Sequence, residues 1–373
     1  MEKVTKVNPL PVLTWNKLKL NDAQLAVDGL TAYDAPALEP IKLLGEWDAE
    51  ELAVWYKKEG IEYIPEAIVA GKYPMAGGQI FPGGSGAGVE ELLKSAGAKT
   101  RVYELKGNGL KVRLDSIHDE GASVIESVLF VLRAGSDAEL IRYVSGSGSS
   151  GFEGLHLRLV LEKGAKLHYT LLQMLKKDVT FLFDAGARLD EGAELTYSCL
   201  QLGSRKVYEG AYFDQIGDGC RLRSDLAYLG LKDSFFDYNY VDCFRGKKTE
   251  GVMRFHGVLC DNAQKVSRET LDFRQHCGEA IGDEEEDVLV MGPDIVNKAM
   301  PMILGEEEDV SGRHAVTIGR LSSDLLFYMQ SRGISEALAC ELLLRSRILR
   351  VAARIPDEDL RGAVEAYLEQ ITF

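Results

Sequence analysis

The sequence predicts a mainly β protein with a β-helix at its centre and helical parts at its N- and C-terminal ends. From about Arg101, short runs rich in Val, Leu, Tyr and Phe alternate with Gly, Asp and Asn turns, as strands do. A three-residue word recurs in this region at intervals of 27 or 28 residues. From about Leu321, apolar residues recur at helical spacing. These three observations divide the chain into residues 1–100, 101–320 and 321–373.

Composition and charge narrow the class of protein. The chain has 373 residues, of which 46% are hydrophobic, enough to bury a sizeable core. Its formal net charge of −15 argues against nucleic acid and anionic membrane surfaces as partners. Six cysteines without a C-x-x-C pair exclude zinc-ribbon and ferredoxin spacings. No apolar leader or long apolar run is present, so we expect a cytoplasmic protein.

Residues 1–100 read as a mixed, partly helical region. Trp47–Glu59 places apolar side chains on one helix face, and Gly60 stands where a helix would end. The Gly-rich stretch Gly77–Gly88 lacks the Gly-Lys-Ser/Thr ending of a phosphate-binding loop, and only a weak helical pattern follows it. We interpret this stretch as a flexible connector.

Residues 101–320 are expected to form the β-helix. The clearest strand segments are Lys111–Leu114, Ser127–Leu132, Leu155–Leu161 and Thr180–Phe183. Ser145–Gly151, with the sequence SGSGSSG, reads as a mobile loop on this body.

The repeated word consists of a small residue, a charged residue and Leu. Its four copies begin at Ala138, Ala165, Ala193 and Cys220. A period this short, built of strands and Gly turns, favours stacked coils that share one core over a propeller. The period is lost after Cys220, and chance similarity within a β-sandwich remains the alternative.

Residues 321–373 are predicted to form three helices. Ser322 or Ser323 can cap the first, Ser335 the second, and Pro356-Asp357 begins a third that ends near Gln370. Leu325–Tyr328 is expected to be helical core. Such helices beside a β-solenoid serve either as a cap for its open end or as a docking module.

One part of the chain resembles a known family. The words Glu307–Val310, His314-Ala315, Ile318-Gly319 and Leu326–Tyr328 occur in the order and spacing of the SufB/SufD family of iron–sulfur cluster assembly proteins, followed by Ser331–Ile334. The resemblance covers roughly residues 130–370 and suggests a SufD-like or a short archaeal or bacterial SufB/D-type member. It implies a right-handed parallel β-helix.

The resemblance also implies a function. Family members pair through the end of the β-helix, as a SufB–SufD heterodimer or a homodimer, and the C-terminal helices hold SufC, an ABC-type ATPase. A transient iron–sulfur cluster is assembled near the pairing interface from iron, electrons and sulfur supplied by a cysteine-derived donor; reduced flavin is a candidate participant. The chain has no G-x-x-x-x-G-K-[ST] motif, so we expect a scaffold that binds no nucleotide and is not an enzyme.

The family's functional histidine falls on His314. A neutral imidazole can ligate iron, and Glu307 and Glu308 precede it in an acidic run. His314 is therefore the candidate metal ligand, with Glu307 and Glu308 as candidate cluster or interface residues. The alternative is a hydrogen-bonded histidine that supports the dimer contact.

Relatives often carry a cysteine where this chain has Gly305 and Gly312, so the expected sulfur acceptor is missing there. Cys260 and Cys277 are the other candidates, and His276 adjoins the second. For any single cysteine, the role of a small buried hydrophobic residue is favoured. The acidic run Asp283–Asp287 is a candidate hard-cation ligand, or else a solvated turn.

Polar and flanking residues of the C-terminal helices are the candidates for ATPase contact: Gln330, Arg332, Gly333, Ile334 and Arg345. Two functions of other classes compete with the scaffold. One is a β-helical carbohydrate lyase or hydrolase with paired carboxylates. The other is a purely structural β-solenoid that polymerises.

Overall fold

The computed structural model describes residues 3–14, 16–33, 38, 41–61 and 83–371. Two large sheets form the walls of a parallel β-solenoid, and helices lie near both ends of the chain. Successive strands alternate between the walls, so each coil gives one strand to each. The predicted fold class is therefore confirmed, and the β-sandwich alternative is wrong. No helix among the described residues is long and apolar enough to cross a membrane.

The first wall is an eight-stranded parallel sheet. Its strands are β6 Leu110–His118, β8 Asp137–Gly146, β10 Lys166–Gln173, β12 Glu194–Gln201, β14 Arg221–Gly230, β16 Glu250–Cys260, β18 Ala280–Met291 and β20 Val310–Gly319.

The second wall has ten strands, and only β4 runs antiparallel to its neighbour. They are β3 Thr31–Ala32, β4 Lys42–Trp47, β5 Thr100–Leu105, β7 Ser123–Leu132, β9 Ser150–Leu161, β11 Asp178–Leu189, β13 Lys206–Gln215, β15 Phe235–Phe244, β17 Gln264–Phe273 and β19 Val296–Gly305. The four strand segments singled out in the sequence lie in β6, β7, β9 and β11.

The space between the walls, the lumen, is filled by every second side chain of each strand. Equivalent side chains of successive coils stack, as the rings of Tyr169 and Tyr197 do at a centroid separation of 5.4 Å. A coil alone would leave these side chains exposed, and stacking buries them in one continuous core.

The repeated word marks one position of the coil in three of its four copies. Leu167, Leu195 and Leu222 are register partners on β10, β12 and β14. The first copy is displaced by two residues, because Ala138 and not Leu140 is the partner of Leu167. That copy therefore has the right spacing but the wrong register.

The solenoid continues beyond Cys220, where the word disappears. Gly251 and Gly282 take the place of Leu in the next two coils. A Cβ on Gly251 would lie 1.8 Å from Asp242 Oδ2 and 2.7 Å from Cζ of Phe244, so side chains of β15 fill the space that Leu fills earlier. The repeat is lost from the sequence because lumen volume is redistributed between neighbouring strands.

The N-terminal part is mixed. Strands β1 Lys3–Val7 and β2 Ala23–Val27 form an antiparallel pair, with a 3-10 turn at Asn16–Leu18 between them. The helix predicted over Trp47–Glu59 is confirmed as α1 Ala49–Lys58, and Gly60 follows it with φ +71°. The Asp48 side chain accepts from the amides of Glu50 and Glu51, which fixes where α1 begins.

The connector interpretation of the Gly-rich stretch is wrong for its described end; residues 77–82 lie outside the described residues. The amide of Ser85 donates to Asp184 Oδ1 at 2.7 Å in a buried contact. A Cβ on Gly84 would lie 2.0 Å from the Ala211 backbone nitrogen. The glycines thus allow the chain to pack against β11 and β13. A ten-residue helix, α2 Ala87–Ala96, follows directly.

Ser145–Gly151 is not a loop along its whole length, so that interpretation is also wrong. Strand β8 extends to Gly146, and β9 begins at Ser150. Gly148 is buried, and the Ser149 amide donates to Glu120 Oε2 at 2.7 Å. The Glu120 carboxylate thereby holds a three-residue turn.

The three predicted C-terminal helices are α3 Ser323–Ser331, α4 Glu336–Ala352 and α5 Glu358–Glu369. Their caps are Ser322, Ser335 and Asp357. Helix α4 packs on the outer face of the eight-stranded wall, so the helices do not cap the open end. No residue of α3 is buried, so the prediction that Leu325–Tyr328 is helical core is wrong.

Candidate functional site at the open end of the solenoid

The last strand of each wall leaves one end of the solenoid uncovered. In β20 every residue from Ser311 to Ile318 is exposed, and β19 is exposed or half-buried along its length. Pro301 lies in the middle of β19 and has no backbone N–H to offer a further strand. β20 contains no proline, so it is the edge better suited to strand pairing.

His314 lies on the lumen side of β20. Its register partner on β18 is Glu284, and the alternation of side chains places the two on the same side of the sheet. Glu284 is fully buried, whereas His314 is exposed. His314 is therefore at the rim, one strand beyond a buried carboxyl group.

Three carboxyl groups lie in the lumen beneath this rim: Glu269 on β17 and Glu284 and Glu286 on β18. Burial, reinforced by repulsion from Glu269 and Glu286, raises the pKa of Glu284 to about 9. Burial and the charge of Glu286 raise the pKa of Glu269 to about 7. Near neutral pH the last closed coil therefore retains protons that exposed carboxyl groups would release.

Glu286 is held in a network that spans three coils. Lys265 Nζ donates to Glu286 Oε1 and, at 2.6 Å, to Ser267 Oγ. Tyr228 donates its hydroxyl to Glu286 Oε1 at 3.2 Å, across the intervening strand β16. The Tyr228 ring passes over Gly257, where a Cβ would lie 2.2 Å from Tyr228 Cζ.

The acidic run is arranged at a corner of the same end. Glu307 accepts from the amides of Glu308 and His276 at 3.0 and 3.1 Å, and these bonds lower its pKa. Cys277 follows His276 but is buried in the core. Burial, followed by the charge of Glu307, raises the pKa of the Cys277 thiol to about 11. The structure thus brings Glu307, Glu308 and His276 together and turns the thiol away from solvent.

Cys260 lies elsewhere. It ends β16 on the outer face of the wall, packed among apolar side chains beneath the C-terminal helices. Burial raises the pKa of its thiol to about 12, which disfavours the nucleophilic thiolate. Cys260 and Cys277 are therefore on opposite sides of the wall, and both have the surroundings of a small buried hydrophobic residue.

No group of three or more His, Cys, Asp or Glu side chains in the described ranges is arranged to hold a metal ion. The run Asp283–Asp287 is part of strand β18, so its interpretation as a solvated turn is wrong. Its residues alternate, with Glu284 and Glu286 in the lumen and the others on the outer face. A metal at His314 would therefore need further donors from beyond the described residues.

Comparison with known proteins identifies the family. A family model described as the SufBD core domain of SUF system FeS cluster assembly matches residues 115–347, more than half of the chain. The chain belongs to the SufBD family.

Relatives with curated names agree. The chain is 28% identical over 154 residues to the iron–sulfur cluster assembly protein SufD of Bacillus subtilis, covering 41% of this chain and 35% of that protein. It is 21% identical over 248 residues to a SufBD family protein of Staphylococcus saprophyticus, covering 65% of this chain and 52% of that protein. A SufBD family protein of Pyrococcus horikoshii is 23% identical over 209 residues, covering 55% and 46%. The chain spans about a third to half the length of these relatives.

Gly305 and Gly312, where the resemblance led us to expect a cysteine, differ in their surroundings. At Gly312, a Cβ would lie 3.0 Å from Phe273 and 3.2 Å from Ile303, so the lumen is already filled. At Gly305, nothing lies within 4 Å of a Cβ. A thiol would fit at Gly305 without rearrangement, but at Gly312 the neighbouring side chains would have to move.

Four of the predicted ATPase-binding residues of this SufBD chain lie on or directly after α3, and Arg345 lies on α4. Gln330, Arg332 and Gly333 are exposed, while Ile334 and Arg345 are half-buried. The Arg332 guanidinium lies 5.2 Å from the centre of the Tyr328 ring. Apolar side chains surround them on the surface, with Phe327 74% exposed and Leu325, Tyr328, Leu338 and Leu342 at 40–55%. The sequence interpretation placed the polar residues there and missed the apolar ones.

The lumen carboxyl groups were also missed as a site. Their signal in the sequence is the alternation of Glu284 and Glu286 within an acidic run that has the period of a strand. An acidic run by itself predicts a surface, and only the register of β18 assigns half of it to the interior.

Proposed function

We propose that this chain is a scaffold component of SUF iron–sulfur cluster assembly and not an enzyme. It pairs through β20 at the open end of the solenoid, with a second copy or a SufB/SufD-like paralogue, in the cytoplasm. A transient cluster forms at the paired rim from iron and cysteine-derived sulfur, and reduced flavin is a candidate electron source. A SufC-type ATPase binds the α3 surface and carries the nucleotide.

The observation that carries this proposal is the combination of an uncovered strand edge with His314 at the rim. One imidazole is an insufficient ligand set for iron. Two rims placed against each other supply a second set of donors, with Glu307 and Glu308 at the adjacent corner. The carbohydrate alternative is weaker because the closely spaced carboxyl groups are enclosed in the lumen, where a saccharide chain cannot reach them.

The test is anaerobic reconstitution of the complex from purified partners, iron and a sulfur donor. His314→Ala is expected to lower cluster yield by roughly tenfold, since it removes a metal-facing group. Arg313→Ala is the matched control, because Arg313 is exposed on the same strand with its side chain on the outer face. Equal yields from both variants would leave His314 without a role in assembly.

A further inference from the structure

Glu284 is an unsatisfied group in the interior. Its side chain is fully buried, and neither carboxyl oxygen has a hydrogen-bond partner among the described residues. Burying a carboxyl group without a partner costs about 1–3 kcal/mol or more. A group this costly needs either a partner that approaches it or a functional reason.

The neighbours of Glu284 restrict what that partner can be. Its register partner on the preceding strand of the wall, β16, is Met253, which is apolar. Its register partner on the last strand, β20, is His314. Lys265 is the nearby cation, but its ammonium group is engaged by Glu286 and Ser267. Glu269 on β17 is buried as well, and its carboxyl group makes no hydrogen bond with that of Glu284. Of the two register neighbours of Glu284, only the imidazole can share a hydrogen bond with it.

Geometry makes this bond accessible. Adjacent parallel strands lie about 4.8 Å apart, so side chains of register partners on one side of a sheet can touch. His314 is exposed and therefore has the freedom to turn toward the lumen. A carboxyl group has an oxygen that accepts a hydrogen bond whether or not it is protonated.

We propose that Glu284 is a positioning residue for His314. The lumen-side ring N–H of His314 donates to a Glu284 carboxyl oxygen, and the lone pair of the other ring nitrogen then faces the rim. A carboxyl group behind a histidine fixes its tautomer and orientation in this way at many metal sites. The value of the arrangement for ligand binding rests on the proposed function, but the hydrogen bond itself does not.

The bond is tested in the isolated full chain by proton NMR with ¹⁵N-labelled histidine. An exposed imidazole N–H exchanges rapidly with water, whereas one bonded to a buried carboxyl group is protected and gives a signal. The wild type is expected to show such a signal, assigned by its loss in His314→Ala. Glu284→Met should abolish it, and Glu284→Gln should restore it because the amide oxygen accepts.

Two internal controls make the result specific. Glu285→Met changes the neighbouring side chain on the outer face and should leave the signal intact. The His118 ring, whose Nδ1 lies 2.9 Å from Glu153 in the buried core, reports that each variant is folded. A wild type without the His314 signal, or a signal that survives Glu284→Met, would overturn the assignment. Failed cluster reconstitution with the signal present would count against the proposed function instead.

Discussion

In this lumen, the size of a residue on one coil determines which side chains can fit on the neighbouring coil. Tyr228 reaches Glu286 only because Gly257 leaves the space between them empty. The glycine is thus required for packing and for a hydrogen bond, not for its backbone freedom. Gly251 likewise has no side chain, which leaves room for the Asp242 carboxyl group and the Phe244 ring.

Gly257→Ala is expected to lower the free energy of unfolding by about 1–3 kcal/mol, because its methyl group would overlap the Tyr228 ring. Urea denaturation followed by circular dichroism measures this. Gly305→Ala is the matched control, since nothing lies within 4 Å of its Cβ, and it should change stability by less than about 0.5 kcal/mol. Equal effects of the two substitutions would mean that Tyr228 is not confined as described.

Buried acids elsewhere in the lumen give an unusual pH dependence. Burial raises the pKa of Glu209 from 4.5 to about 7 and that of Asp242 from 3.8 to about 8. The folded chain then keeps protons that the unfolded chain releases, so stability is greatest at low pH within this window. The free energy of unfolding should fall as the pH rises from about 4.5 through 7 to 8.

The measurement is urea denaturation at pH 5, 6, 7 and 8. Glu209→Gln should reduce the fall between pH 5 and pH 7 by on the order of 1–3 kcal/mol, because it removes one titrating group. Glu358→Gln, at a side chain 90% exposed on α5, should leave the profile as in the wild type. A wild-type stability that rises over this pH range would contradict the raised pKa values.

At the scale of elements, the sequence predicted what is encoded locally. The caps Ser322, Ser335 and Asp357 define their helices through contacts within four residues, so they could be found without tertiary structure. The repeat of Gly turns predicted the solenoid because it, too, can be found in the sequence without tertiary structure. Strands β1 and β4 were missed, since their pairing depends on distant partners.

What could not be predicted depends on contacts between coils. The turn within Ser145–Gly151 is held by Glu120, which lies about 30 residues earlier in the sequence. Gly84 packs against β13, which lies more than a hundred residues later. Likewise, His314 was found through its sequence word, whereas Glu284 became part of the site only through register. Sequence patterns locate the rim but do not show which side chains stand behind it.

Helix α3 presents the most exposed apolar side chain described in the chain, Phe327. If this surface binds the ATPase, Phe327→Ser should weaken binding by about 2 kcal/mol, roughly 30-fold, as for an aromatic interface anchor. Calorimetry with the purified ATPase measures the affinity. A point variant is preferable to deleting the helices, because deletion would uncover the apolar outer face of the wall around Leu200 and Val258.

Val54→Ser is the matched control for this experiment. Val54 is 68% exposed on α1, so its substitution removes a similar exposed apolar group from another helix. It should leave ATPase affinity unchanged. Unchanged affinity for Phe327→Ser as well would place the docking surface away from α3.

At the scale of the whole molecule, the two ends of the eight-stranded wall are unequal. Both edge strands expose a large apolar side chain, Ile117 on β6 and Ile318 on β20, at 64% and 54%. β6 carries the alternating exposed and buried pattern of an ordinary edge, whereas β20 has no buried residue. A strand exposed on both faces, such as β20, is stabilised in a solenoid when another element packs against it. In the proposed pairing, that element is the rim of a second molecule.

Self-pairing can therefore be tested by changing one edge at a time. Ile318→Lys places a charge at the rim and should convert a dimer of the wild-type chain into a monomer, because burying an unpaired ammonium group is costly. Ile117→Lys makes the same change at the opposite edge and should leave the dimer intact. Sedimentation equilibrium at micromolar concentration gives the mass of each. If the dimer is lost with Ile117→Lys but kept with Ile318→Lys, pairing occurs at β6 and the proposal is wrong about the end of the solenoid. A monomeric wild type would exclude self-pairing and leave the paralogue as the required partner.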